Sequence, residues 1–438
     1  MKEERKKKMM KKIIYFLYQV MGVYMFFYAL FSKTIFGFWS QIAKLCFFIL
    51  LLICFFHRKR VKYPRNINGV SVSLFYFYLL IIGGLSLSPP FDSTNDGYVM
   101  CLQFFYFPLY IYIFLNFESI TDKSYLQYFR YLINVACAFV VINIFLFFYE
   151  LPIWVEYRPW FGRISNGYPT TDVVCLSYAL LIVTFVEKLK IGNIKRIIYT
   201  VILIFGIISQ ASGTGFVLLF LVLIVFSYCQ IKKKCDVLLK NLKYSMVVVI
   251  ALTFSCFTIL YSQEPDISNS IMSIITNKIS SFIGDNNIET EWEGISFNGD
   301  TMEVREHEFE NSKKRHMNNP ANYMFGVGFD RIATEHNVNN SGFIFVEDQY
   351  SCNMITIGYF GSILFLFFIC SPIKKWMSYR NKCDGFIYYL GLMSILFSLL
   401  SCKTTIILLS AEIELILALL YSIILRPESL LKLSDDSV

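Results

Sequence analysis

Three kinds of side chain able to handle charged groups gather where polar sequence meets apolar sequence. Three of the four histidines, His307, His316 and His336, share one polar stretch, and His336 precedes Glu347 and Asp348 by only eleven or twelve residues. Imidazole titrates near neutrality, so His336 is the best-placed general base. Glu347 and Asp348 open an apolar run, where ionisable groups are costly and usually functional, although the edge of a run reaches water cheaply. Arginine forks, suited to bidentate capture of oxyanions, stand at Arg158 and Arg163 in one polar segment and at Arg305 and Arg331 in another. Each has a plainer reading: a loop histidine or arginine facing water, or a surface ion pair. Lys44, Glu412 and Glu414 fall inside apolar runs, the two glutamates near the middle of the last one. There they brace a bundle or line its polar interior, with Lys44 or Lys403 as the available positive partners.

The elements that must position these groups are apolar. Hydrophobic residues make up 56% of the chain and charged residues 16%, against about 25% charged in soluble proteins. Twelve runs read as spans: 13–32, 36–56, 69–87, 98–117, 131–149, 171–187, 197–211, 213–230, 244–262, 347–370, 384–401 and 404–425. Most are roughly 17–25 residues long, enough to cross about 30 Å of hydrocarbon. The expected fold is all-α, a polytopic membrane helix bundle of about twelve transmembrane helices. It divides into a nine-span bundle over 1–262, a large outer loop over 263–346 and a three-span segment with a cytoplasmic tail over 347–438.

With the N-terminus in the cytoplasm, 29 of the 40 Lys and Arg fall in inside segments. That follows the positive-inside rule and places both termini in the cytoplasm, with the bundle in an inner or plasma membrane. The net charge of +8 is spread in short clusters between apolar runs, which argues against a nucleic-acid partner. The basic opening resembles a signal-peptide n-region, but the following run is too long and lacks a small-residue cleavage site, so it reads as a retained span. In the outer loop, Ile267, Ile271, Ile274, Ile275, Ile279 and Phe282 recur at helical spacing, as on an amphipathic surface helix. The charged stretch 299–318 reads as a second helix. No cluster with metal-ligand spacing appears, and no cofactor is implied.

Two stretches carry a family pattern. One is N-N-P-A-N-Y-M-F-G-V-G-F-D-R (318–331), with Pro320, Gly326 and Gly328. The other is E-D-Q-Y-S-C-N-M-I-T-I-G-Y-F-G (347–361), with Glu347, Asp348, Tyr350, Gly358 and Gly361. Upstream, Arg163, Gly167 and Pro169 make a weaker echo, as does S-Q-A-S-G-T-G (209–215). In order, spacing and position the chain resembles the O-antigen polymerase and O-antigen ligase superfamily of bacterial polysaccharide assembly. It departs from that family where an "S-R-x-G" arginine is replaced by Gln210 or Ser212.

The resemblance implies a metal-independent membrane glycosyltransferase, a polymerase of O-antigen, capsule or another exopolysaccharide. It would transfer glycan from undecaprenyl diphosphate onto a lipid-linked repeat unit at the outer face of the membrane. Arg163 would be the leading diphosphate binder, followed by Arg331, Arg305 and Arg158. The base would come from His336, Glu347 or Asp348. Implied partners are the undecaprenyl-diphosphate-linked oligosaccharide, the lipid bilayer, a chain-length regulator and a flippase. The alternatives are a ligase of the same superfamily, or a lipid-linked oligosaccharide flippase or twelve-span transporter. The absence of a sequence repeat between the halves counts against a transporter.

Overall fold

The computed structural model describes residues 2–32, 38–57, 74–81, 95–148, 169–186, 189, 191–210, 212–233, 289–292, 295–298, 309–310, 313–314, 317, 319–328, 348–379, 385–403 and 410–426. Fourteen helices are bounded within them. The first eight are α1 (Lys2–Ser32), α2 (Trp39–Phe56), α3 (Asn95–Leu115), α4 (Phe117–Thr121), α5 (Tyr125–Phe148), α6 (Pro169–Phe185), α7 (Asn193–Ser209) and α8 (Gly213–Lys233). They are followed by α9 (Pro320–Phe325), α10 (Gln349–Thr356), α11 (Gly358–Cys370), α12 (Pro372–Met377), α13 (Gly385–Ser401) and α14 (Ala411–Leu425). Residues 74–81 are helical as well.

The architecture is all-α apart from one hairpin in the long loop, β1 (Glu289–Trp292) against β2 (Ile295–Asn298), antiparallel with Trp292 opposite Ile295. Two residues, 293–294, separate the strands in sequence. This hairpin departs from the helices expected of the loop, because its short period of two is overshadowed by the helical spacings around it. The charged stretch 299–318 is helical at 309–310 and 313–314, where Lys313 pairs with Glu310 at 2.9 Å, and is not helical at Met317. The amphipathic helix expected over 267–282 lies outside the described residues.

Among the described residues, one helix, Tyr125–Leu146, is both long and apolar enough to cross a membrane, and six other apolar helices are shorter. Continuous apolar sequence is therefore not always one continuous helix. The run 347–370 was read as a single span, and it is two helices, α10 and α11, interrupted at Ile357.

At the centre lies α14, buried throughout and packed by α1, α3, α6, α12 and α13. Its sequence is apolar on every side beyond the first turn, so a position surrounded by other helices is the one that satisfies it. Tyrosines lace the helices together by donating to carbonyl oxygens of their neighbours: Tyr18 to Ile113 at 2.7 Å, Tyr128 to Tyr18 at 2.9 Å and Tyr421 to Ile369 at 2.6 Å. Each such bond contributes about 1 kcal/mol net. The outer faces, by contrast, carry large apolar side chains. Phe77, Leu80, Phe220 and Phe367 are each at least 60% exposed, while Gln349 and Asn353 are fully buried.

Candidate functional site

The segment ahead of α10 folds by its own start and stop signals. The Asn319 side chain accepts from the Asn322 amide at 2.8 Å, Pro320 occupies the first helical position, and Gly326 ends α9 at φ +78°. The spacing from Pro320 to Gly326 is thus one short helix. With Gly328 also at positive φ, +86°, the turn aims two successive amides at the end of α10. Val327 donates to the Ile355 carbonyl and Gly328 to that of Thr356, both at 2.9 Å.

Those carbonyls need such partners. Where α10 stops at Ile357 and Gly358 turns through φ +69°, the last carbonyls of the helix lose their intrahelical donors. In a low-dielectric interior each unmet group costs several kcal/mol. Tyr78, from 74–81, completes the joint. Its hydroxyl lies 2.7 Å from the Ile357 carbonyl and 2.9 Å from that of Phe325, able to donate its one proton to either. The fit is tight. A Cβ on Gly326 would overlap the Thr356 carbonyl, and one on Gly358 would lie 2.5 Å from both the Gly326 nitrogen and the Met324 oxygen. A Cβ on Gly361 would lie 2.6 Å from the Tyr78 ring. The F-G-V-G and G-x-x-G elements, thirty residues apart in sequence, are two halves of one joint.

From this joint α10 runs to a polar end of the bundle. The Gln349 amide donates to the Cys402 carbonyl at 2.8 Å, and the Tyr350 hydroxyl to that of Leu399 at 2.7 Å. Tyr178, midway along α6, is 3.3 Å from the Ser398 hydroxyl. Gly215 packs between Val173 and Ile207. The starts of α6 and α8 therefore meet the end of α7, the start of α10 meets the end of α13, and Glu412 at the start of α14 lies within electrostatic reach of Cys175 in α6. Buried there are Asp172, Gln210, Asp348, Gln349, Asn353, Glu412 and Glu414. Gln210 Oε1, Asn353 Nδ2 and Glu414 Oε1 lack a hydrogen-bond partner, and buried polar atoms of this kind call for an explanation such as a ligand. Carboxylate and amide oxygens can accept from hydroxyl groups, and amide nitrogens can donate to them.

Basic residues collect at the other end. Lys11 forms an ion pair with Asp122, Lys123 and Arg130 flank the start of α5, Lys195 and Arg196 lie in the first turn of α7, and Arg426 caps α14.

Of the residues singled out for chemistry, Asp348 is described: buried, it caps α10 by accepting from the Ser351 amide at 2.9 Å. His336, Glu347, Arg158, Arg163, Arg305 and Arg331 lie outside the described residues. Glu412 and Glu414 are not mid-helix as expected, because Ser410 is extended and α14 starts at Ala411, which puts both carboxylates in its first turn. There the unpaired amides of a helix N-terminus favour negative charge. Neither Lys44, exposed on α2, nor Lys403 forms an ion pair with them. Tyr78 and Asn353 escaped sequence reading because nothing distinguishes one polar atom within an apolar run. No protein-family model matches the chain, nor does any curated protein.

Asp348 offers a direct separation of roles. Asp348→Ala should destabilise the protein by about 0.5–2 kcal/mol through the lost cap, while Asp348→Asn should stay within a few tenths, since Asn caps as well. Thermal unfolding of the purified variants checks the cap. Full activity of Asp348→Asn would remove its carboxylate from the reacting groups.

Proposed function

We propose that this protein is a polysaccharide repeat-unit polymerase of the bacterial inner membrane, a bundle of about twelve spans with both termini in the cytoplasm. Apolar outer faces, with buried polar residues gathered at one end of the bundle and basic residues at the other, support the membrane setting. The observation that carries the enzymatic reading is the joint between the F-G-V-G turn and the break after α10. The two motifs that resemble the O-antigen polymerase and ligase superfamily are bonded to each other, beside a buried polar half-helix. Discontinuous helices of this kind are where membrane proteins build substrate sites.

In the proposed reaction an acceptor hydroxyl of one lipid-linked unit attacks the anomeric carbon of another. The carbon–oxygen bond to phosphate breaks, its electron pair leaves with undecaprenyl diphosphate, and the hydroxyl proton passes to a base drawn from His336, Glu347 or Asp348. Arginine forks from Arg163, Arg331, Arg305 or Arg158 stabilise the departing diphosphate without a metal.

Removing the protein should leave single repeat units on the lipid carrier while their synthesis continues. Finished polymer accumulating on the carrier would make it a ligase instead, and units failing to reach the outer leaflet would make it a flippase. Orientation is checked separately. A cysteine introduced at Asn298, in β2, should react with a membrane-impermeant reagent in intact cells or spheroplasts, and reaction only after permeabilisation would reverse the topology.

A further inference from the structure

At the basic end, far from the joint, a groove of about 490 Å³ opens between α1, the start of α5 and the start of α7. Its volume falls in the range of small-ligand sites, roughly 300–1,000 Å³. Among the described residues, three cations line it, Lys123, Arg130 and Lys195, and no carboxylate does. The neighbouring acid, Asp122, is already engaged by Lys11. Lys123 sits over the Tyr15 ring at 5.9 Å and Lys195 over the Tyr199 ring at 5.4 Å, with Arg130 half-buried. The floor is pinned: Tyr131 donates to the Gln19 carbonyl at 2.9 Å and Tyr199 to the Asn134 side chain. Alongside, Phe16, Ile194 and Ile198 are at least half exposed.

We propose that this groove binds a phosphate-ester headgroup, that of an anionic phospholipid in the leaflet on the basic side. Three cations converging with no carboxylate beside them among the described residues favour an anion, and the tyrosine and amide groups around them suit the hydroxyls and ester oxygens of a headgroup. The exposed apolar side chains on the flanking turns favour acyl chains at the mouth over a soluble ester. The proposal shares the membrane setting of the functional reading but none of its chemistry.

The test uses the purified full-length protein in a neutral detergent. Retained lipid is counted by native mass spectrometry and thermal unfolding is followed with added phosphatidylglycerol, phosphatidylcholine or glycerol phosphate. Phosphatidylglycerol should be retained in preference and should raise the unfolding temperature. Lys123→Gln/Lys195→Gln changes two exposed residues and should weaken its binding by about 25-fold, at roughly fivefold per cation. Adding Arg130→Gln should weaken it further. Lys6→Gln/Lys7→Gln/Lys8→Gln, on the exposed start of α1, controls for general charge and should change little. Equal retention of phosphatidylcholine, or equal losses in the control, would overturn the site. Saturable binding of glycerol phosphate with no gain from acyl chains would keep the anion site and overturn its lipid occupant.

Discussion

Gly358→Ala and Gly326→Ala should each break the joint at the end of α10, at a cost of roughly 2–5 kcal/mol. Positive φ on a residue with a Cβ costs about 1–2 kcal/mol, and forcing a methyl group into close-packed backbone costs about 1–3 kcal/mol more. At Gly358 that methyl would meet the Gly326 nitrogen and the Met324 oxygen at 2.5 Å, atoms with no side-chain freedom to retreat. If the joint opens instead, the carbonyls of Ile355 and Thr356 lose their donors from Val327 and Gly328. Either route disturbs the two elements the proposed chemistry needs in register. Polymer chain length should collapse in cells at matched protein level, and thermal unfolding in detergent should fall by several degrees. Gly192→Ala is the control, since nothing lies within 4 Å of a Cβ there. Tyr78→Phe should cost less, about 1–3 kcal/mol, because the ring still packs on Gly361 while the hydroxyl is lost. A Gly358→Ala protein of normal stability would mean the turn does not dock on the helix break.

The parts of this architecture legible in sequence are those governed by local rules. Asn319, Pro320 and Gly326 spell the start and stop of α9 within eight residues, and the apolar runs locate most of the helices. The break in 347–370 was hidden because the run is apolar enough to read straight through, and a pair of glycines in such a run usually means helix packing. What interrupts it is non-local: amides from thirty residues upstream and a tyrosine 279 residues away in the chain. The carboxylates of α14 were misplaced for a related reason. Their depth was judged from the length of apolar sequence around them, whereas their setting depends on Ser410 leaving the helical conformation. Lys44 looked like a partner because it falls in a run, yet helical phase turns it outward on α2. Sequence thus marked the polar end by its residue types, and the three-dimensional contacts decide which of those residues meet.

The largest effect on rate is expected at Arg163. It stands six residues ahead of Pro169, the first residue of α6, and the start of α6 belongs to the end of the bundle that buries Asp348, Glu412 and Glu414. The acidic side chains there offer a departing diphosphate no positive partner, so a leaving group at this end needs a cationic fork close by. Charge-assisted bonds from a guanidinium strengthen as the sugar–phosphate bond breaks, so Arg163→Ala should cost roughly 2–4 kcal/mol of transition-state stabilisation. That is a rate loss of about thirty-fold to nearly a thousand-fold. Arg163→Lys keeps the charge without the planar two-pronged geometry and should recover only part of the rate. Arg158→Ala, five residues away, separates loop charge from the fork: a loss as large as that of Arg163→Ala would assign the diphosphate to Arg158 or to the loop's charge as a whole. Polymer length on gels, compared after each variant is shown to reach the membrane at normal level, gives the answer. Normal chains from Arg163→Ala would pass the diphosphate to Arg331 or Arg305, both in the long loop, and move the leaving group away from the start of α6.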